Sequence, residues 1–277
     1  MINIIINFFI IIVQCSSKLI AQEFINPESA VYNPIQKRYL ISNFGNGKIL
    51  EIDSLGKIKY FKQGLAKSLG MIIHDDVLYV ISNSKRVTGF SFTATSSSHE
   101  ITIADAIFLN DITSDMSGNL YVTDSNAKKI YKLSNNLKKY SIIWDTDLEG
   151  PNGILYNKYN HNLIVCNFTK NALIQSINLK DSTISVLDST EFNNLDGLTI
   201  DENGNIYVSY WDSGSFKTGY THNGSVYKYD NAFKNSPQLV IGNLYGPADI
   251  FFNHYRDELV IPLLLGNDIK YVSIVPE

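Results

Sequence analysis

From Phe24 onward the chain alternates short apolar runs with polar turns and shows almost no helical periodicity. The strongest run recurs six times: Tyr39-Leu40-Ile41, Leu78-Tyr79-Val80-Ile81, Leu120-Tyr121-Val122, Leu163-Ile164-Val165, Ile206-Tyr207-Val208 and Leu259-Val260-Ile261. Runs this short, rich in β-branched and aromatic residues, predict strands. A weaker apolar run precedes each, as in Gly153-Ile154-Leu155-Tyr156, and polar turns such as Asn33-Pro34, Ser117-Gly118-Asn119 and Asn203-Gly204-Asn205 lie between them. Turn chemistry of this kind joins antiparallel neighbours. A third, alternating strand follows, as in Lys129-Ile130-Tyr131-Lys132-Leu133, and most repeats show a fourth, such as Lys57-Ile58-Lys59-Tyr60-Phe61. Four strands in about 40 residues, repeated, predict an all-β fold: a six-bladed β-propeller with four-stranded antiparallel blades. The last repeat ends after its third strand, and the stretch Gln22 to Ile25 is expected to supply the missing outer strand and join the chain ends in one blade.

Laid over one another, the repeats place Glu28, Leu69, Asn110, Asn152, Asp196 and Ala248 in one column, at steps of 41, 41, 42, 44 and 52 residues. Four of these six are oxygen donors, and each stands two residues before the apolar residue that opens a first strand. The first strand of a propeller blade lines the central channel, so the column is expected at one channel mouth. Strand alternation puts the loops at Asn43, Asn83, Asp124, Asn167, Trp211 and Leu264 on the same face. Two carboxylates and two amides converging on an axis suit a hard divalent cation, calcium first, with Mg²⁺ or Zn²⁺ as alternatives. Zinc more often takes His or Cys, which the column lacks. Ordinary turn chemistry would also explain Asn152-Gly153 and Asp196-Gly197, but it does not extend to Glu28 before Ser29.

The segments Pro27-Glu28, Asn110-Asp111, Pro151-Asn152-Gly153 and Asp196-Gly197-Leu198-Thr199-Ile200-Asp201 resemble the four motifs of the SMP-30/gluconolactonase family of regucalcin-like six-bladed propellers. The similarity runs from Phe24 to Val275. It implies that Glu28, Asn152 and Asp196 hold a divalent metal, that Asn110 and Asp111 stand near metal and substrate, and that the reaction is hydrolysis of a lactone or related ester. Asp196 is then the catalytic group that assists proton transfer, while the metal polarises the carbonyl or activates water. The chain departs from the family at Ser29-Ala30-Val31-Tyr32, where Gly-Pro and an aromatic usually follow the Glu. Phe108 replaces an Arg that often contacts the sugar, so the resemblance does not by itself imply a sugar lactone; Phe108 is a substrate-binding candidate whose alternative is a core aromatic beside a strand.

The fifth repeat is lengthened by residues 211–224, placed between its second and third strands, where they overhang the same channel mouth. This segment adds Trp211 and His222 as substrate-binding candidates, since loops of this length are often functional. His74, His161 and His254 fall on turns of the opposite face and read as solvated.

At 277 residues and 44% hydrophobic content the chain can bury a large core, and a net charge of −4 gives no electrostatic footprint for nucleic acid. Residues 1–21 read as a secretory signal peptide, with an apolar stretch from Ile4 to Val13 too short to span a bilayer. Residues 22–277 then form a single propeller domain. The expected protein is exported, periplasmic or secreted, with lipid attachment at Cys15 the lesser alternative. It is expected to be a monomer with a small-molecule partner and no membrane span. The mature chain would keep only Cys166, so no intrachain disulfide is expected. Two other readings stay open: an exported binding module of NHL-like repeats without activity, and a strictosidine-synthase-like scaffold that lacks the metal column.

Overall fold

The computed structural model describes residues 23–93, 98–212, 214 and 219–274. Its 23 strands form six antiparallel sheets in sequence order, five of four strands and a last one of three. This is the six-bladed propeller that the repeat predicts. The first strands are Pro27–Asn33, Met71–His74, Leu109–Ser114, Pro151–Asn157, Leu195–Ile200 and Phe251–Asn253. The segment 1–21 lies outside the described residues. Among the described residues, no helix is long and apolar enough to cross a membrane.

Burial runs radially. The second strands are the most buried, with Leu40, Ile41, Val80, Ile81, Val122, Val165, Ile206 and Val260 almost fully enclosed. The fourth strands, such as Ile58–Lys62 and Ser98–Thr102, are largely exposed. This gradient explains why the second strand carries the clearest apolar run in the sequence: both of its faces pack against neighbouring blades. The core lies between blades rather than within them. One cluster, for instance, packs Leu69, Tyr79, Ile81 and Val87 of the second blade against Leu109, Ile112, Leu120 and Val122 of the third.

Each first hairpin turns through one residue in the left-handed region: Lys37, Asp75, Gly118, His161, Gly204 and Asp257. Gly, Asn and Asp tolerate that conformation best, and the polar residues of these turns were the punctuation legible in the sequence.

Ring closure differs from the expectation. Among the described residues the last blade keeps three strands, and Glu23 to Asn26 add none to it. Instead, Asn26 acts as a clasp. Its backbone N–H donates to Asn267 Oδ1 at 2.7 Å and its amide Nδ2 to the Leu264 carbonyl at 2.8 Å, both in the last blade. Lower in the seam, the Tyr39 hydroxyl donates to Glu258 and accepts from Asn253. Phe24, Tyr39 and Leu50 pack against Val260 and Ile269. The N-terminal segment is drawn to its own blade's loop, where Phe44 and Gly45 donate to Asn26 and Ile25, so it is not free to run alongside the last sheet.

Candidate functional site

The oxygen-donor column owes its geometry to a repeated irregularity. In the first, third, fourth and fifth blades, pairing between first and second strands slips by a residue at Pro27/Ala30, opposite Val122/Asp124, at Pro151/Ile154 and at Leu195/Leu198. Glu28, Asn110, Asn152 and Asp196 sit in these bulges. A bulge breaks strand alternation and re-aims a side chain, here into the channel mouth. The offset recurs in the sixth blade, between Pro247 paired with Leu263 and Phe251 paired with Val260, and in the second, where the Leu69 N–H and the Gly70 carbonyl both bond Ile81; there the bulge carries Ala248 and Leu69 in place of an oxygen donor.

A hydroxyl or thiol from the second strand stands behind each of the four donor-bearing bulges, and in the third, fourth and fifth blades it reaches the next blade. Thr123 Oγ1 accepts the Asp111 N–H at 3.1 Å and donates to the Asn152 carbonyl at 2.7 Å. Ser209 Oγ accepts the Gly197 N–H at 2.7 Å and donates to Ala248 at 2.8 Å. Cys166 Sγ takes the same position, donating to the Asp196 carbonyl at 3.1 Å, and Ser42 Oγ accepts from Ser29 at 2.9 Å. These bonds tie each ligand-bearing bulge to a rigid neighbour, which is how a site is held in shape.

The residue after each donor completes the packing. Gly153 and Gly197 do not take left-handed φ, so turn conformation is not what requires them; space is. A Cβ on Gly153 would stand 2.3 Å from the Asp196 carbonyl oxygen, and one on Gly197 would stand 2.5 Å from Asp249 Cα. In the third blade this position is Asp111. Its Oδ1 accepts the Ile112 N–H at 2.7 Å and its Oδ2 the Ile154 N–H of the next blade at 2.8 Å.

A cavity of about 290 Å³ opens over the column. Glu28, Asn110, Asn152 and Asp196 line it together with Phe108 and Trp211, so the structure brings six of the predicted site residues to one place. Asp111 lines instead the cavity at the opposite channel mouth, as does Asp249. His222 is exposed, stacks on Tyr245 at 4.3 Å between ring centroids and does not line the pocket. The 211–224 segment is anchored by Asp212, which accepts from the N–H groups of Gly214 and Thr221 and from the Thr221 hydroxyl. Residues 213 and 215–218 of it lie outside the described residues.

Sequence reasoning missed Phe44 and Phe168, which line the cavity, and Asp249. The signal for Asp249 was present one residue beyond the donor column, where Ser29, Gly70, Asp111, Gly153, Gly197 and Asp249 align.

The electrostatics of the axis are unusual. Glu28, Asp111 and Asp196 are at most 6% exposed and Asp249 is 9% exposed. Burial raises the Glu28 carboxyl well above its ordinary range, with further repulsion from Asp249, Asp196 and Asp111 and a small opposing effect of Ser42. Burial, then Asp111, raises Asp196 to about 8 against a hydrogen bond from Trp211, and burial raises Asp111 to about 7 against its two backbone donors. Asp249 rises for the same reasons, burial and then Asp111, opposed by its bond from Ser29. Beside these acids, Asn110 Oδ1 and Asn152 Oδ1 are buried without a hydrogen-bond partner. An orphaned buried amide oxygen is costly, and two of them beside two buried carboxylates form a set of hard oxygen donors without a counter-charge. That set fits a divalent cation. Among the described residues no three His, Cys, Asp or Glu side chains form a metal-holding group, so the fit depends on the amide oxygens.

The fold and the site together define a propeller of the lactonase type. The SMP-30/Gluconolactonase/LRE-like region family matches residues 26–236, and the chain belongs to that family. Solved structures share the fold at low identity. A gluconolactonase of Xanthomonas campestris aligns with a TM-score of 0.71 at 15% identity, over 85% of this chain and 82% of that one. A virginiamycin B lyase of Staphylococcus aureus aligns at 0.63 and 15% identity, over 91% and 85%. A chain of the nidogen/laminin complex aligns at 0.62 and 17% identity, over 83% and 91%. No curated protein sequence matches the chain significantly.

Proposed function

We propose that the protein is a divalent-cation-dependent hydrolase of a small lactone or related ester, with Glu28, Asn152 and Asp196 holding the cation. Family membership supports the lactonase class. The observation that carries the cation is the pair of buried, unpartnered amide oxygens facing buried carboxylates at the cavity floor. Bound there, a divalent cation polarises an ester carbonyl and makes water a better nucleophile; Ca²⁺ suits an all-oxygen set best.

The chain's own groups do the rest. Asn110, beside the donors in its own bulge, orients the substrate's carbonyl end with its amide. Phe108 and Trp211 form the wall that holds the rest of the substrate and excludes water. Asp196 takes the proton lost by the attacking water and returns it to the alkoxide released when the ring or ester C–O bond breaks. The proton affinity of Asp196 is raised in the cation-free site, and a bound cation would lower it again. Asp111 acts at a distance from substrate, holding the third blade's bulge against the fourth.

Calcium titration by calorimetry, followed by a lactone and ester panel with and without chelator, tests the reading. Full turnover in excess chelator would overturn it. The same reading has the protein exported, residues 1–21 directing it out of the cytoplasm, which the mass of the mature chain checks.

A further inference from the structure

We propose that this cavity selects an apolar lactone or ester, aromatic or alkyl, over a polyhydroxylated sugar lactone; the inference rests on the hydrolase reading above. It starts from a second column. The residue just after each second strand is Phe44, Ser84, Ser125, Phe168, Trp211 and Leu264 in blade order. Propeller geometry turns all six positions toward one mouth, and four of them are large and apolar.

Those four, joined by Phe108 from the third blade's entry and Leu69 from the second, wall the cavity above the polar floor. Phe44, Phe108, Phe168 and Leu264 are only partly buried, so their apolar faces are open to a ligand. Trp211 is fixed in place, with its ring edge-on to Phe168 at 5.4 Å and to Tyr220 at 4.9 Å between centroids.

Among the described residues the polar groups of the wall are few. Ser125 Oγ already donates to the Pro151 carbonyl at 2.7 Å, which leaves Asn126. Lys67 rests on the Phe44 and Phe108 rings, its Nζ 4.3 and 5.2 Å from their centroids, and does not line the cavity. A sugar lactone presents a hydroxyl on nearly every ring carbon. In this cavity the floor donors are occupied with cation and ester, and the wall would strip water from those hydroxyls without replacing it. An aryl or alkyl ring gains from the same wall.

The full chain in excess CaCl₂ should hydrolyse dihydrocoumarin with a kcat/KM roughly 100-fold above that for gluconolactone. Phe108→Ser and Phe168→Ser should each shift that ratio roughly tenfold toward gluconolactone, mainly through KM for dihydrocoumarin, with circular dichroism confirming the fold. Calorimetry with dihydrocarbostyril, the lactam of dihydrocoumarin, reads the cavity without turnover and should show binding that both substitutions weaken. Faster turnover of gluconolactone would overturn the inference and leave the hydrolase reading standing. If neither lactone is hydrolysed with Ca²⁺, Mg²⁺ or Zn²⁺, the hydrolase reading falls. Lactam binding would then still support an apolar ligand site, and its absence would overturn both.

Discussion

Asp111 in the third blade accepts the backbone N–H of Ile154 in the fourth, 2.8 Å away, so one carboxylate spans the junction beneath two of the donor residues. Its other oxygen accepts Ile112, and both oxygens are therefore committed. Asp111→Asn leaves one acceptor where two buried N–H groups need one each. The expected loss of stability is about 1–3 kcal/mol, read by urea unfolding. A stability equal to the parent's would show that the junction is held elsewhere.

Acid should stabilise the cation-free protein. Asp196 and Asp111 carry folded-state values of about 8 and about 7, both above the unfolded range. The folded state thus binds more protons than the unfolded state across roughly pH 4 to 8, and stability falls as pH rises through that window. Melting in chelator should show Tm decreasing from pH 5 to pH 8.5. Added Ca²⁺ should raise Tm most at the alkaline end, where the carboxylates are charged; a rise that is greatest at pH 5 would contradict the assignment.

Asp196→Asn separates stability from function. The substitution removes one buried negative charge from a repulsive group, so the chelated protein should melt higher at pH 8 than the parent. Calcium affinity and lactone turnover should both fall, turnover by roughly 100-fold or more. A variant that keeps parental turnover would remove Asp196 from the chemistry.

Gly153→Ala drives a methyl group against the carbonyl oxygen of Asp196, 2.3 Å from its ideal position. The backbone must move, at a cost of about 1–3 kcal/mol, and it moves at a donor residue. Calcium affinity should therefore fall along with Tm, measured by calorimetry on the folded variant.

Cys166 occupies the position held by Ser42, Thr123 and Ser209 in other blades, and it is fully buried. Cys166→Ser should change stability by less than about 1 kcal/mol, because a hydroxyl repeats the bond to the Asp196 carbonyl. Cys166→Val deletes that donor and should cost about 1–3 kcal/mol. Equal melting of the two variants would show that the thiol serves only as filler.

Much of the fold was legible because the second strands bury both faces and the first hairpins turn on polar residues, and both properties are local. The column at Glu28, Asn110, Asn152 and Asp196 was legible as well, through its spacing. Its mechanism was not. Bulges are set by pairing between strands, and a slip of one residue leaves no mark in composition. Gly153 and Gly197 illustrate this: read locally they belong to turns, while in the ring they make room for the next blade. Asp111 looked like a substrate contact because it adjoins Asn110, yet the bulge sends the two side chains to opposite mouths of the channel. Of the strand expected from Gln22 to Ile25, Gln22 lies outside the described residues and the rest pairs with no strand of the last blade, because Asn26 turns the chain onto the Phe44 loop.

The clasp at Asn26 has a consequence for where attachments can be made. The two ends of the described chain meet different sides of the ring. The Glu23 carbonyl accepts from Asn43, which ends the first blade's second strand on the cavity side. Ile274 bonds back to Asp257, at the turn on the far face. A label or surface tether joined beyond residue 274 would hang below the ring and leave the mouth clear. One joined just before residue 23 would start on the cavity side, beside Asn43.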